Sequence, residues 1–377
     1  MARDINKEEF TEGTKLKLEI FQDCFREWFP VFIHNPFIKQ VYVYDLFAGS
    51  GKDAVGNAGS PLILLKEARG DHKQHCVSLS DKKSPAVIFG FNEKEKQKYN
   101  ELESNVRDSL KSCRSDCKLA ECPFENNIHI RQGDFHDLLA EKRFLEVLSN
   151  KHFAKFILLD QYGFSQIEDD VFTKLVESPK TDFIFFIASS FVKRFKDMPA
   201  VTAYFDKDKI IYDETQPKEC HRVIANYFRN LIPQNKEYYL HSFTIKKGTN
   251  YYGLIFGSNH TFGMEKFLRV CWKEDPLGGE SNCNINNDYE EGSLFYDSSA
   301  SNKRIEVKKL LVEQILAGVI TDNISGMKLT MRLGCEPKIF VEVIEELLKE
   351  GKINVDKSFN RASAGIHKVK KYQIEVK

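Results

Sequence analysis

No run in this 377-residue chain approaches the roughly 18 consecutive apolar residues of a membrane span, and the opening Met-Ala-Arg-Asp-Ile-Asn-Lys-Glu-Glu holds no apolar stretch of the secretory kind. A soluble, cytoplasmic protein is the expectation. Charge of one sign is missing too. With 55 Lys and Arg against 55 Asp and Glu, no global field gathers nucleic acid, and such contacts would have to come from local patches. The sequence has no internal repeat, no low-complexity tract and no Cys-x2-Cys pair. Its nine cysteines are an odd, scattered set, which excludes a disulfide frame and points to thiols in a reducing compartment.

What is present is apolar and aromatic. Residues of the apolar classes make up 42% of the chain, with 30 Phe among them, enough for a packed interior and too much for disorder. The length suits two domains, or one large domain with an appendage. Leu18, Phe21, Phe25 and Phe29 recur at helical spacing in a segment expected to stop at Pro30. Val41 to Leu46 then reads as a short buried strand running into a Gly-rich turn. Ser60 followed by Pro61 reads as a helix cap with proline in the first turn.

The alternation continues. Strands are expected at 86–91, 128–131, 153–160 and 183–188, with helices at 93–112 and near 137–148, and a βαβα series predicts a mostly parallel sheet covered on both faces. Two later strands, 237–246 and 251–258, flank Lys247-Gly-Thr-Asn250 as an antiparallel hairpin. The composition of 276–302 shifts to Gly, Asn, Ser and acids, the mark of a linker or surface loop. Domains are therefore expected over 1–275 and 303–377. In the second, helices at 305–316 and 336–350, a short element at 328–332 and strands at 352–355 and 368–376 form a winged-helix pattern.

Chemistry is expected at the carboxyl ends of the parallel strands, where open α/β sheets bind ligands. Gly49 and Gly51 at the first strand's turn let a ligand approach the backbone, flanked by Phe47, Ala48 and Ser50, while Asp45 offers a carboxylate to a cationic group. The second strand ends at Glu93, suited to ribose hydroxyls, and the third at Asp134 and Phe135, suited to an adenine edge and ring. The fourth ends at Asp160, with Tyr162 two residues on. Taken singly, Glu93 and Asp134 are explained as well by helix capping, and Glu93 suits NAD as well as S-adenosylmethionine.

The wording Asp45-Leu-Phe-Ala-Gly-Ser-Gly51 resembles the first motif of nucleic-acid methyltransferases. Together with Lys17-Leu-Glu-Ile, Gly59-Ser-Pro-Leu-Ile63, Leu159-Asp-Gln-Tyr-Gly163, Tyr252-Gly-Leu-Ile-Phe-Gly257, Gly263-Met-Glu-Lys-Phe267 and Trp272-Lys273, it is similar over nearly the whole chain to the three-Cys-motif partner family, TcmP. The resemblance implies a Rossmann-like methyltransferase sheet ending in an antiparallel hairpin, an S-adenosyl-L-methionine cofactor, and a partner bearing a three-cysteine motif of the phage Gp37/Gp68 type. It places Asp160 and Tyr162 beside the methyl acceptor. Gln161 and Tyr162 stand where the family has Pro and Phe, so the turn that aims a carbonyl at a target amine is altered. No Pro-Cys occurs, which argues against cytosine C5 methylation, a reaction that needs a thiolate nucleophile. A non-catalytic binding subunit that keeps the fold is the alternative.

Three further features are read as structural. Cys113, Cys117 and Cys122, with His72, His75 and Cys76 upstream, are spaced more loosely than zinc ligands and are taken as ordinary thiols, so no metal is expected. The basic groups Lys193-Arg194, Lys207 to Lys209 and Lys246-Lys247 suit solvation. The denser set of Lys352, Lys357, Arg361, His367, Lys368, Lys370 and Lys371 suits either phosphate or protein contact, so DNA or RNA is a candidate partner there. His221 and Arg222 show no partner in the sequence.

Overall fold

The computed structural model describes residues 8–81, 83–161, 168–188, 217–289, 301–356, 358–359, 364–367 and 370–377. Helix α1 (Glu12–Ile33) precedes strand β1 (Gln40–Asp45), followed by α2 (Ser60–Arg69), α3 (Gln74–Leu79), β2 (Ala86–Glu93), α4 (Lys96–Ser115) and β3 (Ile128–Gln132). The chain continues through α5 (Phe135–Ala140), α6 (Lys142–Ser149), β4 (Phe153–Leu159), α7 (Asp169–Glu177), β5 (Thr181–Ile187), α8 (Cys220–Asn230), β6 (Tyr239–Lys247), β7 (Asn250–Ser258) and α9 (Thr261–Glu274). The strands form one sheet in the order β3-β2-β1-β4-β5-β7-β6. β1 to β5 pair in parallel, and β7 runs antiparallel to both β5 and β6.

Strand alternation divides the core. Val41, Val43, Phe156 and Leu158 pack with Phe21, Phe25 and Phe29 of α1 on one face. Ile157, Leu159, Phe183 and Phe185 pack with Phe144, Phe172 and Phe228 on the other. β4 is buried along nearly its whole length, as a central parallel strand covered on both sides should be. Sequence order reverses direction between β1 and β4, so their carboxyl ends flank the topological switch point. This order, with its terminal antiparallel hairpin, is the Rossmann-like arrangement of methyltransferases.

Several boundaries differ from expectation. Pro30 lies inside α1, which runs on to Ile33: so close to the helix end it disturbs a single turn, and burial of Phe29 and Ile33 holds that turn in place. Gly59, not Ser60, caps α2, and Ser60 is its first helical residue. The single helix expected near 137–148 is two, because Glu141 is extended (φ −67°, ψ 127°) and its carboxylate pairs with Arg131 at 2.7 Å.

After α9 the chain does not leave the sheet at once. The Asp275 carboxylate accepts the amides of Leu277, Gly278, Glu280 and Ser281, closing a tight turn. The Thr244 amide of β6 then donates to the Glu280 carbonyl at 2.7 Å. The first residues of the stretch that reads as a linker lie along the sheet's edge strand, with Leu277, Ser281 and Ile285 buried. His221 and Arg222 find their partner in the same segment: Arg222 binds Glu280 through Nε at 2.7 Å and Nη2 at 3.0 Å, and His221 lies 3.2 Å from it.

The C-terminal residues fold as α10 (Asn302–Leu316), α11 (Asn323–Arg332), α12 (Lys338–Lys349), strand β8 (Ile353–Val355), the short α13 (Ala364–His367) and strand β9 (Ile374–Val376), with β8 and β9 antiparallel and Asp322 bridging to Gln373. The expected element at 328–332 is the end of α11. This unit is seated on α9. Trp272 Nε1 donates to the Gly334 carbonyl at 2.9 Å, and His367 spans Thr261 Oγ1 (2.8 Å) and Glu265 Oε2 (2.7 Å). No described helix is long and apolar enough to cross a membrane.

Candidate functional site

The turn after β1 is built for close approach. Gly49 and Gly51 adopt φ of +59° and +79°, left-handed values that side chains disfavour. A Cβ on Gly51 would stand 3.0 Å from Leu102, and one on Gly59 would stand 3.2 Å from the Gly51 carbonyl group. The Gly59 amide donates to the Gly51 carbonyl at 2.8 Å, so the loop folds back to bring the start of α2 beside the first glycines. Asp53 secures the loop by accepting the amides of Phe10, Val55 and Asn57. Those contacts tie the N-terminal segment to the turn, and Phe10, Thr14 and Lys17 become one wall of a cleft whose other side is Phe47, Ala48, Gly49, Gly51 and Ser60.

Asp45 is the most telling residue in this cleft's surroundings. It is fully buried; Oδ1 accepts the Phe47 amide at 3.2 Å, while no donor reaches Oδ2 with hydrogen-bond geometry. Burial pushes its carboxyl up to about 7; Ser60, the Phe47 amide and Lys17 pull against that shift, and the Asp160 carboxylate adds to it. A buried carboxylate oxygen without a donor is costly unless something satisfies it.

Asp160, at the end of β4, lines the same cleft. Its Oδ2 is 2.5 Å from Lys17 Nζ, and the ammonium also sits 4.6 Å from the Phe186 ring centre. Lys17 is a functional candidate that the sequence reading missed as a site residue. Its signal was there: a lysine on the buried stripe of α1, one turn before Phe21. Ser60 and Phe10 are likewise additions.

The remaining predicted residues are placed differently. Glu93 Oε2 accepts the Gly49 amide at 2.9 Å and Oε1 accepts the Glu95 amide at 2.8 Å, so this carboxylate holds the glycine turn against β2. Ser50 stabilises the turn, its Oγ donating to the Lys52 carbonyl at 2.7 Å. Asp134 caps α5 by accepting the His136 amide at 2.8 Å and pairs with Lys94 at 2.8 Å, which lowers its pKa. Phe135 is buried against Phe47, with ring centres 4.9 Å apart. Structure thus brings Phe47, Ala48, Gly49, Gly51 and Asp160 to one cleft, with Asp45 fully buried beside it and Glu93 behind its turn, and leaves Asp134 and Phe135 outside its lining. Tyr162 lies outside the described residues, as do Lys193, Arg194, 207–209, Lys357, Arg361 and Lys368. Among the described residues no group of three His, Cys, Asp or Glu side chains is arranged to hold a metal ion.

The glycine turn at the switch point, with the strand order of this sheet, gives the chain a Rossmann-like methyltransferase fold. No family model matches the sequence, and no curated protein matches it. Among solved structures, Trm1 from Pyrococcus horikoshii with S-adenosyl-L-methionine is similar at 11% identity over 82% of this chain and 86% of that one, with a TM-score of 0.39. TYW2 from M. jannaschii, in complex with AdoMet, is similar at 14% identity over 67% of this chain and 78% of the other, TM-score 0.30. TomG from Streptomyces achromogenes, an O-methyltransferase in complex with SAM, is similar at 9% identity over 66% and 90%, TM-score 0.32. At these scores the likenesses carry no weight of their own; strand order and turn geometry do.

Proposed function

We propose that the protein binds S-adenosyl-L-methionine and acts as a methyltransferase-like protein, with nucleic acid as the candidate acceptor. The observation that carries this reading is the buried Asp45 Oδ2, which no donor reaches with hydrogen-bond geometry although the Ser60 hydroxyl lies near enough to act on the carboxyl, beside a glycine turn where a Cβ on Gly51 or Gly59 would crowd its neighbours. Asp45 would accept from the cofactor's ammonium group, the turn from Phe47 to Gly51 would lie along its backbone-facing side, and Glu93 would offer its remaining lone pairs to ribose hydroxyls. When bound, the cofactor supplies an electrophilic methyl group. Lys17 fixes Asp160 at the end of β4, so Asp160 can take a proton from an acceptor only by loosening that pair.

Calorimetry with S-adenosyl-L-methionine tests the reading. Binding by the wild type that is lost in Asp45→Ala and Gly49→Trp supports it; no binding, or equal binding by these variants, sinks it.

One observation favours a second reading. Lys17 already occupies the carboxylate that an acceptor would need, which suits a non-catalytic subunit that keeps the fold and serves a three-cysteine-motif partner. Transfer of labelled methyl groups to DNA, RNA or protein, with and without that partner, separates the two, because activity abolished by Asp160→Ala is incompatible with a purely structural role. The three helices and hairpin of the C-terminal unit support its reading as a winged helix that delivers the protein to nucleic acid or to that partner.

A further inference from the structure

The sheet carries a second concavity, on the face turned away from α1, α2 and α4. Val41, Val43 and Asp45 of β1 point into the large core, so Tyr42 and Tyr44 point the other way. They share that face with Ile88 and Gly90 of β2 and with His129 and Arg131 of the edge strand β3. Helix α6 covers only one side of this surface: Phe144 meets the Tyr44 ring edge-on at 5.2 Å, whereas Ile88 and Gly90 stay partly exposed and His129 is exposed. What results is an open-mouthed hollow of about 240 Å³ with an aromatic and aliphatic floor. It is smaller than a drug-sized pocket, room for one flat ring, and has the mostly apolar lining with a few polar groups at the edge that small-ligand sites share.

The floor is built for a flat ring. Tyr42 and Tyr44 are nearly parallel, with centres 5.8 Å apart and planes 13° apart. The Tyr44 ring fills the space above Gly90, where a Cβ would come within 2.5 Å of it, so the glycine is what lets the tyrosine lie low over the sheet. The rim is polar and biased toward positive charge. Arg131 is spent internally, on Glu141 at 2.7 Å and on Asn92 Oδ1 at 3.1 Å. Arg143 is not: among the described residues it pairs with no acid, and it lines the hollow, where burial pushes both tyrosine hydroxyls up and its charge partly opposes that shift. Aromatic rings beneath and a free guanidinium above are the two elements that hold a base and its phosphate.

We infer that the hollow bounded by Tyr42, Tyr44, Gly90, His129 and Arg143 is a nucleotide-binding site, separate from the cleft at Asp45, in which a base lies on the tyrosines and a phosphate meets Arg143. The same chemistry is offered by a free mononucleotide and by one nucleotide of a single strand. The inference does not depend on cofactor binding, since the two sites lie on opposite faces of β1.

The test uses the full chain and two pyrimidine probes, chosen to avoid an adenosine site: uridine 5′-monophosphate by calorimetry and a fluorescein-labelled uridylate decamer by anisotropy. Saturable binding is expected, weakened at least about fivefold by Tyr44→Leu, which keeps apolar volume but removes the ring. Arg143→Glu, on the surface and harmless to folding, should weaken it about tenfold and flatten its salt dependence. Binding of the mononucleotide identifies the free ligand as the source, and binding of the decamer alone identifies a single strand. Absence of saturation by both probes overturns the proposal. So does binding that survives both variants unchanged, or that Gly49→Trp abolishes while the groove variants do not.

Discussion

Replacing Lys17 by Met leaves Asp160 without its cation, in a cleft beside which the buried Asp45 holds a second carboxyl group. Breaking a buried pair by removing one partner costs ~3–5 kcal/mol, because the remaining charge is uncompensated. Asp160 retains 14% of its side-chain exposure, so water relieves part of this, and the low end is expected. With an unfolding entropy of roughly 2.1 cal/mol/K per residue, the 377 residues sum to ~0.8 kcal/mol/K, so a loss of ~3 kcal/mol lowers the melting midpoint by ~4 °C. Differential scanning calorimetry at pH 8 reads this shift directly. The double variant Lys17→Met/Asp160→Asn removes the stranded charge and should recover at least half of the loss. A midpoint for Lys17→Met within about 1 °C of wild type, or a double variant as unstable as the sum of its singles, would refute the assignment of Lys17 and Asp160 as a buried, coupled pair.

Asp45, raised from 3.8 to about 7 by burial, gives a pH signature. A carboxyl with a raised folded-state value contributes stability that is complete below 3.8 and lost as pH climbs through 7, so wild type should weaken relative to Asp45→Asn across that window, by ~4 kcal/mol at most. Parallel melting curves against pH for the two proteins would contradict this. Lys155 behaves in the opposite sense: burial lowers it to about 7, while its ammonium donates to the Leu148 and Asn150 carbonyls at the end of α6. Its contribution is present above 10.5 and fades as pH falls through 7, so wild type should gain on Lys155→Met between pH 7 and 10, as read by thermal unfolding. Gly51→Ala, forced to hold φ of +79° against Leu102, should cost ~1–2 kcal/mol in denaturant titration and abolish cofactor binding. Retained affinity in that variant would show that the turn does not approach the ligand.

Features written locally in the sequence were the legible ones. Tyr42 and Val43 alternate across a strand, Gly49 and Gly51 must turn, and Asp45 ends β1, so one cleft wall and a mostly parallel sheet ending in a hairpin followed from neighbours in the chain. Residues whose meaning depends on distant partners stayed hidden. Lys17 lies on the apolar stripe of α1, but its partner cannot be named until β4 brings Asp160 to it from 143 residues away, and Arg222 has no visible partner until Glu280 returns along β6. Asp134 carries both of the meanings the sequence leaves open. Its place at a strand end suits a ligand, but the helix beginning at the next residue claims the same carboxylate for its own amide.

The seating of α1 has a consequence for how the chain is made. It leaves the ribosome before most of its partners, and its buried side chains close on residues synthesised far later: Trp28 donates to Asp182 at 2.6 Å, Lys17 reaches Asp160, and Lys266 meets Glu27. Until those partners emerge, Phe21, Phe25, Trp28 and Phe29 have only β1 and α2 to pack on, and a partly exposed aromatic stripe invites aggregation or a holding chaperone. Such long-separation contacts slow folding, so the ligand cleft, one wall of which is this helix, is completed only once β4 and β5 have emerged. A nascent chain arrested before Asp182 would carry the Gly49 turn but not the wall opposite it.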